Sequence, residues 1–111
     1  MFIQLRTMAV QKGYSEQVAA RFTKDGPMDE MNGLIDRTVM VNTRGREQDE
    51  VVVLIRWESQ EDWKNWEKSD AHLQGHRDKK GQEPPAYMIS TTVKMYEVQA
   101  VKPGKASSST N

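Results

Sequence analysis

Residues 50–57 read EVVVLIRW, and this stretch constrains the fold more than any other. The five consecutive apolar residues Val51–Ile55 predict a strand that is apolar on both of its faces. Such a strand needs cover on both sides of its sheet. In a chain of 111 residues, helices can cover one side. A second sheet from a partner subunit is the simplest cover for the other side.

The composition excludes several classes of function. The chain has 16 basic and 16 acidic residues, so no field of one sign would attract nucleic acid or an anionic membrane. The absence of cysteine excludes disulfides, thiolate nucleophiles, iron–sulfur clusters and cysteine-rich zinc sites. The first residues, MFIQLR, do not form a signal peptide, and no apolar run approaches the roughly 18 residues of a membrane span. We therefore expect a soluble, cytoplasmic protein.

The pattern around the central strand predicts the order β-α-β-β-α-β, which is a ferredoxin-like α+β domain. The predicted strands are 2–10, 34–42, 50–57 and 87–98. Ser15 is the predicted N-cap of the first helix, and Ser59 begins the second with Asp62 completing a capping box. We expect one domain over residues 1–101 and a disordered polar tail over residues 102–111.

Both histidines of the chain lie in the stretch Trp66–His76, which reads WEKSDAHLQGH. Ten residues of one straight helix span about 15 Å, so Trp66 and His76 could not meet there at a small ligand. Ser69 followed by Asp70 is typical of a helix start, and a break there would let both side chains line one pocket. Since neutral histidine is a common metal ligand, the stretch is the first candidate for a functional site.

A purely structural interpretation of the same stretch is also open. Trp66 fits a helix face that packs on a sheet, and His76 fits the C-terminal end of a helix dipole. His72 and His76 are four residues apart, but as a zinc pair they would need Asp70 or Asp78 as a further ligand. The sequence contains no HExxH, P-loop, GxGxxG or GxSxG motif.

Several short stretches resemble the haem-degrading monooxygenases of the IsdG type. Those shared with the family are Lys12-Gly13, Arg21-Phe22, Gly33 before a strand, Trp57 at a strand end, and Trp66-x-Lys68-Ser69-Asp70 followed by His76. Those that resemble the Bacillus HmoA branch of the family are MFIQLR, VVVLIRWES, WEKSDAH and MYEV. The resemblance covers residues 1–102, and the spacing from Trp66 to His76 is its specific part.

The resemblance implies a homodimer in which the sheets of two subunits form an α+β barrel. It also implies haem, as both substrate and cofactor, between the sheet and the helices of each subunit. His76 matches the family's proximal ligand to the haem iron, and Trp66 matches a tryptophan that presses on the porphyrin and helps to distort it. Phe22 matches an aromatic residue of the pocket wall.

Arg6 departs from the family pattern, which has an asparagine at this position of the first strand. Arginine is always charged and has no hydrogen-bond acceptor, so it cannot simply replace an amide. Two roles remain open for Arg6: it donates to bound oxygen, or it holds a haem propionate.

The leading hypothesis is a monooxygenase that opens the porphyrin ring and releases iron with dioxygen and an external electron donor, such as a reductase. Trp66 and Arg6 would then be catalytic, and His76, Trp66 and Phe22 would bind the haem. The alternatives are a haem-binding or haem-buffering protein without turnover, a cofactor-free monooxygenase that acts on a quinol, and a structural dimer.

Overall fold

The computed structural model describes residues 1–106. Along them the strands and helices are β1 Phe2–Gln11, α1 Ser15–Arg21, a 3-10 turn Pro27–Glu30, β2 Leu34–Asn42, β3 Gln48–Trp57, α2 Gln60–Lys68, α3 Asp70–Lys79 and β4 Met88–Glu97. Residues 107–111 of the predicted polar tail lie outside the described residues.

The strands form one antiparallel sheet in the spatial order β2-β3-β1-β4. Along the chain, α1 connects β1 to β2, and α2 and α3 connect β3 to β4. The predicted α+β ferredoxin-like arrangement is therefore confirmed. No helix within residues 1–106 is long and apolar enough to cross a membrane.

The central strand β3 packs one of its faces into the core. The residues on this face are Val51, Val53, Ile55 and Trp57, and each is at most 6% exposed. Val18 of α1 and Trp66 of α2 belong to the same buried cluster. This face alone buries several large apolar side chains, each of which contributes about 1.5–3 kcal/mol when fully buried.

The other face of the sheet carries apolar side chains that are not buried. Ile3 and Leu5 of β1 are half-buried, and so are Val52 and Leu54 of β3. Tyr96, which pairs with Ile3 across β1 and β4, is 46% exposed. This open face of the sheet is the side for which the sequence predicts a second cover.

A buried carboxylate fastens the turn between β1 and α1 to the start of β3. Asp49 is 2% exposed and accepts from Lys12 Nζ at 2.8 Å and from the Gly13 backbone N–H at 3.0 Å. Together with a bond from the Ser15 side chain, these donors hold the pKa of Asp49 below its ordinary value. The prediction of Ser15 as an N-cap is wrong, because Ser15 is the first residue of α1 and Tyr14 precedes it as N-cap. Ser15 is instead buried, and its side chain is one of the groups that lower the pKa of Asp49.

Substitution of Gly33, the residue before β2, should lower the stability of the fold. Its φ is +87°, and a Cβ at this position would overlap the Asp62 carboxylate of α2. We expect Gly33→Ala to lower the free energy of unfolding by at least about 2 kcal/mol, because backbone strain and a steric clash add. Urea unfolding followed by circular dichroism measures this loss.

Two other glycines provide matched controls. Gly13 has φ +94°, and no atom lies within 4 Å of the position that a Cβ would take, so Gly13→Ala isolates the backbone strain. Gly26 has an extended backbone and free space, and Gly26→Ala should change stability by less than about 0.5 kcal/mol. Equal losses for Gly33→Ala and Gly13→Ala would contradict the close contact with Asp62.

Candidate functional site

Ser69 separates α2 from α3 and redirects the chain between them. Its Oγ accepts from the His72 backbone N–H at 3.2 Å, which caps α3, and donates to the Trp66 carbonyl oxygen at 2.7 Å. The backbone at Ser69 is extended, with φ −69° and ψ 150°, so α2 and α3 cannot form one straight helix. The break predicted from the sequence is confirmed.

Because of this break, residues of both helices line one cavity of about 220 Å³ above the sheet. The four site residues predicted from the sequence all line it: Arg6 of β1, Phe22 after α1, Trp66 of α2 and His76 of α3. Trp66 is 8% exposed and belongs to the core, so its position is set by packing. The structure thus brings these four residues together at one cavity.

Apolar side chains and an adjoining cavity extend this space. The apolar wall is completed by Met28, Val53 and Ile55. The second cavity, of about 340 Å³, shares Arg6, Phe22 and Lys79 with the first. Together the two cavities offer a volume in the range of about 300–1,000 Å³ that is usual for ligand sites.

The Arg6 guanidinium lies at the border of the two cavities. Its Cζ is 5.9 Å from the centre of the Phe22 ring, which is within the range of a cation–π contact. Burial lowers the pKa of Arg6, and the charge of Glu67 acts in the opposite direction. Within residues 1–106 we find no ion pair or hydrogen bond from this guanidinium to a protein acceptor. Its N–H groups are therefore available to a ligand.

The two histidines are in direct contact at the edge of the cavity. His72 Nε2 lies 3.0 Å from His76 Nε2 and 3.1 Å from Glu67 Oε2. The His72 ring also meets the Trp66 ring edge-on, with 5.0 Å between the centroids. Burial lowers the pKa of His72, with a smaller rise from Glu67 and a smaller decrease from His76. His72 thus links three of the residues around the cavity.

The zinc alternative for the histidine pair receives no support. Within residues 1–106, no three histidine, aspartate or glutamate side chains form a group that could hold a metal ion. Asp78, one of the two possible further ligands, accepts instead from Gln74 Nε2 at 2.9 Å.

Sequence reasoning did not assign a role to several residues of the cavity. In addition to Arg6, the cavity is lined by two other basic side chains, Arg37 and Lys79, and by one acidic side chain, Glu67. Arg37 is paired with Asp29 at 2.8 Å, which leaves Arg6 and Lys79 as the lining cations without an ion pair in the described part of the chain. Only one feature of the sequence could have assigned His72 to the site: it lies four residues before His76, and residues four apart share a helix face.

Within residues 1–106, the apolar wall and the unpaired cations of the cavity suit an apolar ligand that carries carboxylates.

Comparison with known proteins indicates the family of this chain. The model of the family described as antibiotic biosynthesis monooxygenase matches residues 1–78. A Bacillus subtilis protein named haem-degrading monooxygenase HmoA is 52% identical over 104 residues, which are 94% of this chain and 96% of that protein. A Staphylococcus haemolyticus protein named haem oxygenase (staphylobilin-producing) is 35% identical over 85% of this chain and 92% of its own length.

A solved structure agrees with the fold. A crystal structure from Bacillus cereus, described as an antibiotic biosynthesis monooxygenase, superposes with a TM-score of 0.80 and 40% identity. The superposition covers 93% of this chain and 95% of that one.

The Ser69 hydroxyl should account for much of the stability of the joint between α2 and α3. We expect Ser69→Ala to lower the free energy of unfolding by about 1 kcal/mol, because the cap of α3 is lost. Ser69→Thr keeps the hydroxyl and should retain most of that stability. Chemical denaturation of the three proteins measures the difference, and equal stability of Ser69→Ala and the wild type would contradict the role of the cap.

Proposed function

Since the chain belongs to the antibiotic biosynthesis monooxygenase family, we propose that it is a haem-degrading monooxygenase. Its reaction opens the porphyrin ring and releases iron, and it consumes dioxygen and electrons from an external donor. One observation carries the proposal: Trp66 and His76 line the same cavity in a chain that is 52% identical to a haem-degrading monooxygenase.

The residues of the cavity fit haem as the substrate. Val53, Ile55 and Met28 offer an apolar wall for a porphyrin, and the His76 imidazole supplies a nitrogen ligand for iron. Arg6 and Lys79, at the border with the second cavity, offer positive charge to the propionates. The donor set and the polarity of the site therefore match an apolar ring that carries carboxylates.

Each of the predicted site residues has a role in this proposal. His76 would hold the iron, and the buried Trp66, whose position is fixed by the core, would press against the porphyrin. Phe22 forms part of the wall under the Arg6 guanidinium. Bound haem supplies the redox chemistry of its iron, and the protein orients the ring and excludes water from it.

Arg6 is the residue that we propose to act on the reaction beyond binding. It points a permanent charge and several N–H donors toward the cavity, where an asparagine of the family would offer one amide. Donors placed where negative charge develops can stabilise a transition state strongly. Within residues 1–106 this guanidinium has no ion pair or hydrogen bond to a protein acceptor, which supports a ligand-directed role.

The proposal includes a homodimer. The open face of the sheet carries Ile3, Leu5 and Leu54, which are only half-buried in one subunit. The same face of a second subunit would cover them and complete an α+β barrel. A monomeric mass in light scattering at micromolar concentration would contradict this part. We place the protein in the cytoplasm, where reductases can supply electrons.

His76 should determine haem binding. We expect hemin added to the wild-type protein to give a Soret band, and His76→Ala to bind hemin at least about tenfold more weakly because the iron loses its ligand. Arg77→Ala is the matched control, since Arg77 is next in sequence but bonds Gln74 rather than lining the cavity. Spectral titration measures the affinities. An equal Soret band in His76→Ala and the wild type would contradict the ligand assignment.

The complex of the wild-type protein with hemin distinguishes haem degradation from haem storage. Ascorbate under air should abolish the Soret band of the wild type and release iron that a ferrous chelator detects. A Soret band that persists under these conditions would contradict the monooxygenase and favour the haem-buffering alternative.

Arg6 should affect turnover more than binding. We expect Arg6→Ala to retain the Soret band but to lower the rate of haem loss by about 10- to 100-fold, because a donor is removed from the reacting site. Arg6→Asn should recover part of the rate, since an amide also donates. Haem loss in Arg6→Ala at the wild-type rate would show that the guanidinium has no part in the reaction.

A further inference from the structure

His72 is the centre of a small group of close polar contacts beside the proposed iron ligand. Its Nε2 is 3.1 Å from Glu67 Oε2 and 3.0 Å from His76 Nε2, and one ring nitrogen therefore faces two possible acceptors. Its backbone N–H donates to Ser69, and its ring packs edge-on against Trp66. These contacts from α2, the joint and α3 fix the position of the imidazole.

Counting protons assigns the donors in this group. A carboxylate oxygen of Glu67 lies 3.1 Å from His72 Nε2 and would repel a lone pair there, so the tautomer of His72 with its proton on Nε2 is favoured. This same N–H points at His76 Nε2, which must therefore offer a lone pair. A neutral His76 then carries its proton on Nδ1. In that tautomer Nε2 is the nitrogen that can bind a metal.

The geometry points to His72 as a positioning residue for His76: its Nε2–H, which lies beside the Glu67 carboxylate, keeps a lone pair on His76 Nε2, the nitrogen that would hold the iron. This inference rests on the proposed function, in which His76 is the ligand. When His76 Nε2 binds iron, it can no longer accept from the His72 N–H, but the Glu67 carboxylate remains 3.1 Å from that nitrogen. The ligand nitrogen would therefore be prepared before the substrate enters, and the His72 N–H would keep a neighbouring acceptor afterwards.

Two substitutions separate this role from simple packing. His72→Phe keeps a flat ring against Trp66 but removes the N–H, and His72→Gln restores a donor on a side chain without a ring. Gln74→Ala is the control, because it breaks the exposed bond to Asp78 on the same helix and leaves both histidines. The chain contains two histidines, so His76 is the only one left in His72→Phe when no histidine tag is present.

The measurement is the tautomer of His76 in the haem-free protein, from ¹⁵N chemical shifts of the ring nitrogens. We expect Nε2 of the wild type and of Gln74→Ala to be unprotonated. In His72→Phe the ratio of the Nδ1–H to the Nε2–H form should fall about fivefold, which corresponds to a hydrogen bond of about 1 kcal/mol. In His72→Gln the ratio should return toward the wild-type value.

A wild-type His76 that is protonated on Nε2, or the same ratio in His72→Phe as in the wild type, would overturn the inference. Hemin titration of the same samples distinguishes it from the proposed function. Normal hemin binding with an unchanged tautomer contradicts only the role of His72. The expected tautomers in a wild type that binds no hemin through His76 contradict the proposed function instead.

Discussion

The need to cover β3 on both faces is the constraint from which the rest of the structure follows. Val53 and Ile55 must be covered, and the helices that cover them enclose the cavity, so the floor of the site and the core of the domain are the same side chains. The opposite face leaves Leu54 half-buried, and the proposed dimer would cover it with the partner's sheet. The core of the domain, the floor of the cavity and the surface of the proposed dimer thus all include side chains of one strand.

The position of the site above that strand depends on the Ser69 hydroxyl. It both ends α2 and begins α3, so Trp66 and His76 approach one cavity although ten residues separate them. A continuous helix would place them about 15 Å apart along its axis. The Glu67 carboxylate on α2 reaches His72 on α3 across the same joint. One capping residue therefore brings the His76 imidazole and its neighbours to the same cavity.

The polar groups of the cavity divide into two sets with different consequences. His76, His72 and Glu67 form a connected group of close polar contacts. Arg6 has no such protein partner within residues 1–106 and rests on the Phe22 ring. An unsatisfied donor in a half-buried site is costly, and a ligand oxygen relieves that cost. In the proposed function the first set would prepare haem binding, whereas Arg6 would be directed toward the ligand and its reaction.

Local patterns in the chain were enough to predict the strands, the break at Ser69 and the interest of the stretch Trp66–His76, because alternation and capping are properties of neighbouring residues. Phe22 and Arg6 were singled out only by the resemblance to a known family. The N-cap prediction for Ser15 was wrong because Tyr14 occupies the N-cap position, and Ser15 is buried as the first residue of α1 near Asp49 of β3. Packing in three dimensions was needed to establish that His72 and Glu67 join His76, and that Arg6 has no ion pair among the described residues. These properties arise from contacts between different elements of the fold, and no local pattern encodes such contacts.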